Sequence, residues 1–127
     1  MDLDLTEEQQ LLRDTVRGVC EKHCPVEVVR SMEDDAVGYP ASLWKELGGL
    51  GVLGLLLPEA YGGGGQSALE AVMVYEEFGR SLAPSPHFVS CVLAGGVLAA
   101  AGSEEQKSGW LGRIASGETV MTPAYLE

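Results

Sequence analysis

Three times along this chain a hydroxyl residue is followed three positions later by Glu or Gln: Thr6-Glu7-Glu8-Gln9, Ser67-Ala68-Leu69-Glu70 and Ser103-Glu104-Glu105-Gln106. At that spacing the hydroxyl oxygen caps a backbone N–H of a first helical turn, and the Glu or Gln side chain reaches back to the cap. The apolar residues that follow repeat with a helical period. After the first signature, Leu12, Val16, Val19 and Cys20 predict a helix from about Glu7 to Lys22. Pro25 to Glu33 reads as a short second helix, closed by the turn-rich run Glu33 to Gly38. Pro40, tolerated in a first turn, precedes Leu43, Trp44, Leu47 and Leu50, a third helix ending near Gly48-Gly49. Ser67 opens a fourth, which carries Leu69, Val72, Met73 and Phe78 inward and ends near Gly79 to Ser81. Pro84 and Pro86 introduce a fifth, Phe88 to Ala101, apolar nearly all round and therefore expected at the centre. The sixth presents Trp110, Leu111 and Ile114 on one face and takes Gly117 as its C-terminal cap. The tail Thr119 to Leu126 turns β-like. The expectation is an all-α domain over residues 1–118, a bundle of about six helices in up-and-down or orthogonal arrangement, with 119–127 beginning something else.

At 127 residues the chain has the length of one domain and can bury a core without disulfides or a structural metal. A formal net charge of −11 opposes association with nucleic acid or an anionic membrane, because both attract clustered cations. The acidic start, MDLDLTEEQQ, has no basic segment leading into an apolar run, which points to the cytoplasm. The weakly polar run Phe88 to Gly102 is shorter than the roughly 20 residues of a membrane span, so no membrane insertion is expected. Cys20, Cys24 and Cys91 are an odd number and are expected as free thiols. Cys20, His23 and Cys24 share a helix face at i, i+3 and i+4 and can in principle supply three metal ligands, yet no second cluster completes a tetrahedron; no metal is expected. His87, beside Pro86, has a neutral-range titration but no paired acid in sequence, and is expected as a surface or hydrogen-bonded histidine.

The stretch GLGVLGLLLPEAYGGGG, Gly49 to Gly65, fits the Gly-x-Gly-x-x-Gly spacing of a dinucleotide turn. That fingerprint functions only where a strand leads into the first glycine and a helix starts at the last, so that its N–H groups face a pyrophosphate. Here a helical pattern precedes and Leu55-Leu56-Leu57-Pro58 follows. Gly62 to Gly65 likewise lacks the Lys-Ser/Thr that completes a phosphate loop. Tight turns between packed helices are the expected use of these glycines.

Three longer strings, LWKELGGLGVLGLLLPEAYGGGG, LEAVMVYEEFGRSLA and GSEEQKSGWLGRIASGE, resemble successive signatures of the amino-terminal helical domain of the acyl-CoA dehydrogenase family. The resemblance covers nearly the whole chain from LTEEQQLLRDTVR onward. It implies that a β-barrel-like middle domain and a carboxy-terminal four-helix domain follow, and that the chain ends where the middle domain begins. It also implies FAD, bound mainly by those other domains. The implied reaction is α,β-dehydrogenation of an acyl-CoA thioester: a carboxylate takes the α-proton, a hydride leaves the β-carbon for the flavin, and an electron-transferring flavoprotein collects the electrons. The catalytic glutamate belongs to the carboxy-terminal domain, so this chain is expected to hold no catalytic residue and to be inactive alone. A homo- or heterotetramer is implied for the complete protein.

By the same resemblance the helix after Leu82-Ala83-Pro84 walls the acyl pocket, with Ser85, Val89 and Leu93 as candidate acyl-chain contacts. The tail places Tyr125, Leu126 and Glu127 against a segment whose backbone and hydroxyl approach the flavin edge; Leu126 stands where a threonine is usual, so a hydroxyl contact is lost or made elsewhere. Two other readings stand beside this one: a free-standing helical interaction module without flavin, and a related acyl-CoA oxidase, nitroalkane oxidase or flavin monooxygenase.

Overall fold

The computed structural model describes residues 4–126. Its helices are α1 (Glu7–His23), α2 (Val26–Ser31), α3 (Ala41–Gly49), α4 (Ala68–Arg80), α5 (Gly95–Ala101) and α6 (Glu104–Ala115). A π-helical segment, Phe88–Ala94, runs directly into α5, and a 3-10 turn, Glu59–Tyr61, lies in the connection from α3 to α4. Among the described residues there is no strand; 119–126 takes no regular secondary structure.

All three cap signatures form closed boxes. Thr6 N donates to Gln9 Oε1 at 3.0 Å and Gln9 N to Thr6 Oγ1 at 3.2 Å. Ser103 and Gln106 repeat the pattern at 2.9 and 3.2 Å. Ser67 N donates to Glu70 Oε2 at 3.0 Å, while Ser67 Oγ accepts from Leu69 N. Gln9 Nε2 also donates to Glu70 Oε1 at 2.9 Å, so the starts of α1 and α4 are clasped together. The Ser67 hydroxyl, which donates to Glu70 Oε2 at 2.5 Å, and then the Gln9 amide do most to hold the Glu70 carboxyl down at about 2.

The buried face of α1 is Val16, Val19 and Cys20; it packs on α4 and on α3, whose Leu43, Trp44 and Leu47 are buried. Leu53, Leu55 and Leu57 of the α3–α4 connection cross the core, and Leu111 and Ile114 of α6 complete it. On α4 the inward stripe is Ala71, Met73, Val74, Glu77 and Phe78. Leu69 and Val72, expected inside, are exposed: α4 turns the face of Ala71, Val74 and Phe78 toward α1, which puts 69 and 72 opposite it. Leu50 is exposed because it caps α3 just before the chain turns. Trp110 is exposed as well, with the Arg113 guanidinium 4.9 Å from its ring centre, a cation–π contact that needs no burial. The fifth helix is not central. Only Ser90, Cys91, Ala94 and Gly95 of it are buried, while Phe88 and Val97 face outward.

The α3 terminus accounts for the first half of the dinucleotide-like spacing. Gly51 has φ +77° and donates to Gly48 O at 3.1 Å, while Val52 N reaches Leu47 O at 3.0 Å. This pair of bonds closes a helix through a left-handed residue, the conformation glycine adopts without a Cβ penalty. Gly54 is a packing residue: a Cβ there would come within 2.8 Å of the Ala115 Cβ.

Gly18, within α1, is exposed and has no neighbour within 4 Å of where a Cβ would sit. Gly18→Ala is therefore expected to raise stability by about 0.5–1 kcal/mol, by restricting the unfolded backbone. Urea denaturation, with an unchanged m-value and a higher midpoint, checks this.

Candidate functional site

The end of α4 and the start of the next helix shape the site. Leu82 N donates to Gly79 O and Ala83 N to Phe78 O, the same two-bond closure seen after α3. Here the left-handed position is held by a leucine, Leu82, at φ +50°. That conformation costs a non-glycine residue on the order of 1 kcal/mol or more. The chain then runs Ala83-Pro84-Ser85-Pro86, and Ser85 Oγ accepts from His87 N at 3.3 Å as the helix begins. Gly95 N bonds Ser90 O, five residues back, which marks the wide π turn.

Between these two helix ends lies an open cleft of about 280 Å³, lined by Tyr75, Phe78, Gly79, Leu82, Ala83, Ser85 and Phe88. Its wall is aromatic. The Tyr75 ring stands edge-on to Phe78 at 5.8 Å and to Phe88 at 6.0 Å between centres. The Tyr75 hydroxyl meets His87 Nδ1 at 2.7 Å, and His87 Nε2 meets Val52 O at 3.1 Å. A carbonyl only accepts, so Nε2 carries the hydrogen of the neutral ring and Nδ1 accepts from the phenol. His87 is 3% exposed, and burial holds its pKa below the usual imidazole value, against the pull of the Val52 bond. Burial likewise pushes the Tyr75 phenol up and the Cys91 thiol to about 12. Near neutral pH the wall is uncharged, which suits an apolar ligand.

A carboxylate for proton transfer is absent from the cleft lining. Glu77, one residue from the wall on α4, is 1% exposed and held in a two-bond pair with Arg17: Nη2 to Oε1 at 2.7 Å and Nε to Oε2 at 3.1 Å. That bonding lowers its pKa in spite of the burial that raises it.

Of the three acyl-contact candidates, Ser85 lines the cleft; Val89 is exposed and Leu93 half-buried, both outside the lining. Their i, i+4, i+8 spacing presupposes 3.6 residues per turn, and the wider π turn from Phe88 to Ala94 takes the helix out of that phase. Tyr75, Phe78 and Phe88 are not among those candidates: the helical period assigns Phe78 to the core and gives Tyr75 no role. The available signal was an aromatic pair at i, i+3 ending α4 just ahead of the proline-rich turn.

A second cavity, about 360 Å³, lies at the clasped helix starts among Thr6, Glu8, Gln9, Leu12, Leu55, Gln66 and Glu70. Its polar groups are mostly those already spent on the two caps. His23 pairs with Glu46, Cys20 and Cys24 are buried free thiols, and no His, Cys, Asp and Glu grouping suited to a metal occurs among the described residues.

The tail is tied down by Thr119 N to Arg113 O at 3.1 Å and by Met121 N to the Oγ of fully buried Ser90 at 3.0 Å. Ser90→Ala leaves the Met121 N–H without that acceptor, and hydrogen exchange at Met121 is expected to speed up by about tenfold, the equivalent of one net hydrogen bond. Tyr125 and Leu126 are 72% and 85% exposed, and Glu127 lies outside the described residues. Toward a flavin this tail offers an edge and no cradle, since 119–126 contains no Lys or Arg to meet a pyrophosphate.

Residues 6–118 match the family described as acyl-CoA dehydrogenase, N-terminal domain. The chain is 36% identical over 124 residues to acyl-CoA dehydrogenase FadE27 of Mycobacterium tuberculosis, covering 98% of this chain and 33% of that protein. It is similar to a chain in the crystal structure of the ChsE4-ChsE5 complex from Mycobacterium tuberculosis, with 35% identity and a TM-score of 0.86 over 96% of this chain and 34% of that one. It is also similar to the crystal structure of an acyl-CoA dehydrogenase complexed with FAD from Bacillus anthracis, with 26% identity and a TM-score of 0.80 over 92% and 20% of the respective chains. The chain spans 27% to 38% of the length of three curated relatives it matches.

Proposed function

Because the chain belongs to the acyl-CoA dehydrogenase amino-terminal domain family, we propose that it forms one wall of the acyl pocket in a flavin-dependent oxidoreductase that dehydrogenates an acyl-CoA thioester between its α and β carbons. The observation that carries this is the uncharged, aromatic cleft beside Ser85, where the helix after α4 begins. Alignment of two C–H bonds for removal of a proton and a hydride needs the acyl chain fixed in a water-poor site. Tyr75, Phe78 and Phe88 supply apolar surface for that, and the Ser85 hydroxyl adds one polar point.

A bound FAD would supply the hydride acceptor, with the Tyr125–Glu127 tail at its edge, and no step of the transfer is placed on a residue of this chain. Proton abstraction belongs elsewhere in the whole protein, since Glu77 is occupied by Arg17. We assign the Tyr125–Glu127 tail to the flavin edge, an electron-transferring flavoprotein to electron removal, a homo- or heterotetramer to the assembly and the cytoplasm to the location. The likeness to a chain of the two-component ChsE4-ChsE5 complex supports the heteromeric form. For the described residues, no helix is long and apolar enough to cross a membrane.

The test is expression of the complete reading frame, followed by anaerobic absorption spectra before and after addition of acyl-CoA thioesters. A yellow protein bleached by a thioester is the expected result. A colourless product, or a yellow one that no thioester bleaches, overturns the reading.

A further inference from the structure

We infer that the Tyr75–His87 pair sets which acyl groups the cleft accepts, Tyr75 as the specificity-determining wall and His87 as the positioning residue that holds it. The inference rests on the acyl-pocket reading above and deepens it.

Tyr75 is the residue of the lining whose position is fixed from most directions. Its ring packs edge-on to Phe78, Phe88 and His87, with centres 5.8, 6.0 and 5.5 Å away. Its hydroxyl is bonded to His87 Nδ1 at 2.7 Å. A phenylalanine would supply the same ring without that tether, and a leucine neither tether nor plane. A wall pinned at both its apolar body and its polar tip cannot swing aside for a larger ligand without breaking that half-buried hydrogen bond.

His87 is absent from the lining and acts through Tyr75. Its other nitrogen is anchored to the Val52 carbonyl, which directly follows the left-handed Gly51 that closes α3. The line Val52–His87–Tyr75 thus fixes the cleft wall to the rigid connection beneath it. Removal of His87 strips the phenol of its acceptor and takes one of two donors from the Val52 carbonyl, which keeps the bond from Leu55 N at 3.3 Å. Glutamine can replace both bonds, its oxygen accepting from the phenol and its nitrogen donating to Val52.

The experiment uses the full-length, flavin-loaded protein. Rates of anaerobic bleaching are measured for straight-chain acyl-CoA thioesters of increasing length and for a ring-bearing one, giving kcat and KM for each. Tyr75→Leu is expected to raise the kcat/KM ratio of bulky to short thioesters about tenfold or more, the range that one or two pocket methylenes command. His87→Ala is expected to move the ratio in the same direction, and His87→Gln to restore it. A merely structural role lowers kcat for every thioester alike and leaves the ratio in place. An independent readout is the 15N spectrum of the His87 ring in the wild type and in Tyr75→Phe: the Nε2–H form with a Nδ1 resonance that moves on loss of the phenol supports the pair, and an unmoved Nδ1 overturns it. Should His87→Ala fail to fold, Tyr75→Leu and the ring spectrum decide. Bleaching with an unchanged ratio in Tyr75→Leu overturns the inference and leaves the acyl-pocket reading standing. A wild type that no thioester bleaches overturns both.

Discussion

Gly63→Ala is expected to prevent the chain from reaching its folded state. A Cβ at Gly63 would lie 2.1 Å from the Leu57 carbonyl oxygen and 2.4 Å from its carbon. These are backbone atoms, which cannot rotate away as the tip of a flexible side chain can. The neighbourhood is also braced on every side. Gly63 N donates to Pro58 O, Gly64 N to Gly54 O and Gly65 N to Leu57 O, at 3.1, 2.8 and 2.9 Å. Relief of the clash therefore has to break the knot that carries Leu57, itself 1% exposed, into the core. Overpacking of a well-filled interior ordinarily costs about 1–3 kcal/mol. A backbone collision of this depth is expected to exceed about 4 kcal/mol, close to the whole stability of a domain of this size. Circular dichroism and a urea titration check it. Gly49→Ala, where nothing lies within 4 Å of the added carbon, is the control expected to stay within about 0.5 kcal/mol.

The second large effect is expected at the half-buried Arg17–Glu77 ion pair. Arg17→Met strands the Glu77 carboxylate, 1% exposed, between α1 and α4. Removal of one partner of a desolvated pair is strongly destabilising, and the loss is tempered here because the Arg17 side chain keeps 33% of its surface in solvent and Arg13 and Arg80 also bear on the carboxylate; a lowered urea midpoint is the expected reading. The double replacement Arg17→Met with Glu77→Leu leaves no stranded charge and should recover most of the loss.

This pair also shapes the acid response. Glu77, Glu70, Glu46 and Asp35 all titrate below their ordinary values in the fold. As pH falls, the unfolded chain takes up protons first, from about 4.3. The stability these groups confer is thus complete above that range and lost as pH drops through the folded values, Glu70's at about 2. A thermal melt series from pH 6 to pH 2 should show a falling Tm, with a shallower fall in Glu77→Gln. Thiols act in the opposite sense. Burial raises Cys20 to about 11 and Cys91 to about 12, so their contribution is complete below about 8.5 and lost as pH rises toward those values.

Much of the architecture was legible because it is written in local chemistry. The cap signatures at Thr6, Ser67 and Ser103 each became a helix start, and Gly117 became the end of α6. Those features depend on residues three or four apart. Faces were harder to read. Leu69, Val72 and Trp110 are apolar but exposed, while Glu77 is charged and buried, because burial depends on which helix lies opposite and on Arg17, 60 positions away. The cleft was half legible. Ser85, a candidate through the family resemblance, lies in the lining, but Tyr75 depends on a bond to His87 that no periodicity encodes. The π segment was invisible, since its widened turn follows no simple sequence pattern. The dinucleotide-like spacing is the complementary case, legible through its helical context as turns between packed helices: Gly51 and Gly54 serve a helix end and a close contact with Ala115, and their separation follows from packing.

The clasp between Gln9 and Glu70, with the Arg17–Glu77 pair beside it, has a consequence during synthesis. The two bonds join residues 61 and 60 positions apart. A ribosome adds roughly 5–20 residues per second, so α1 leaves the exit tunnel seconds before its partner exists, although a helix forms in about a microsecond. For that interval the apolar edge of Val16, Val19 and Cys20 has only nascent chain or a chaperone to cover it. The birth of this domain is thus paced by translation of α4, and slow codons between the two helices lengthen the period in which α1 waits uncovered.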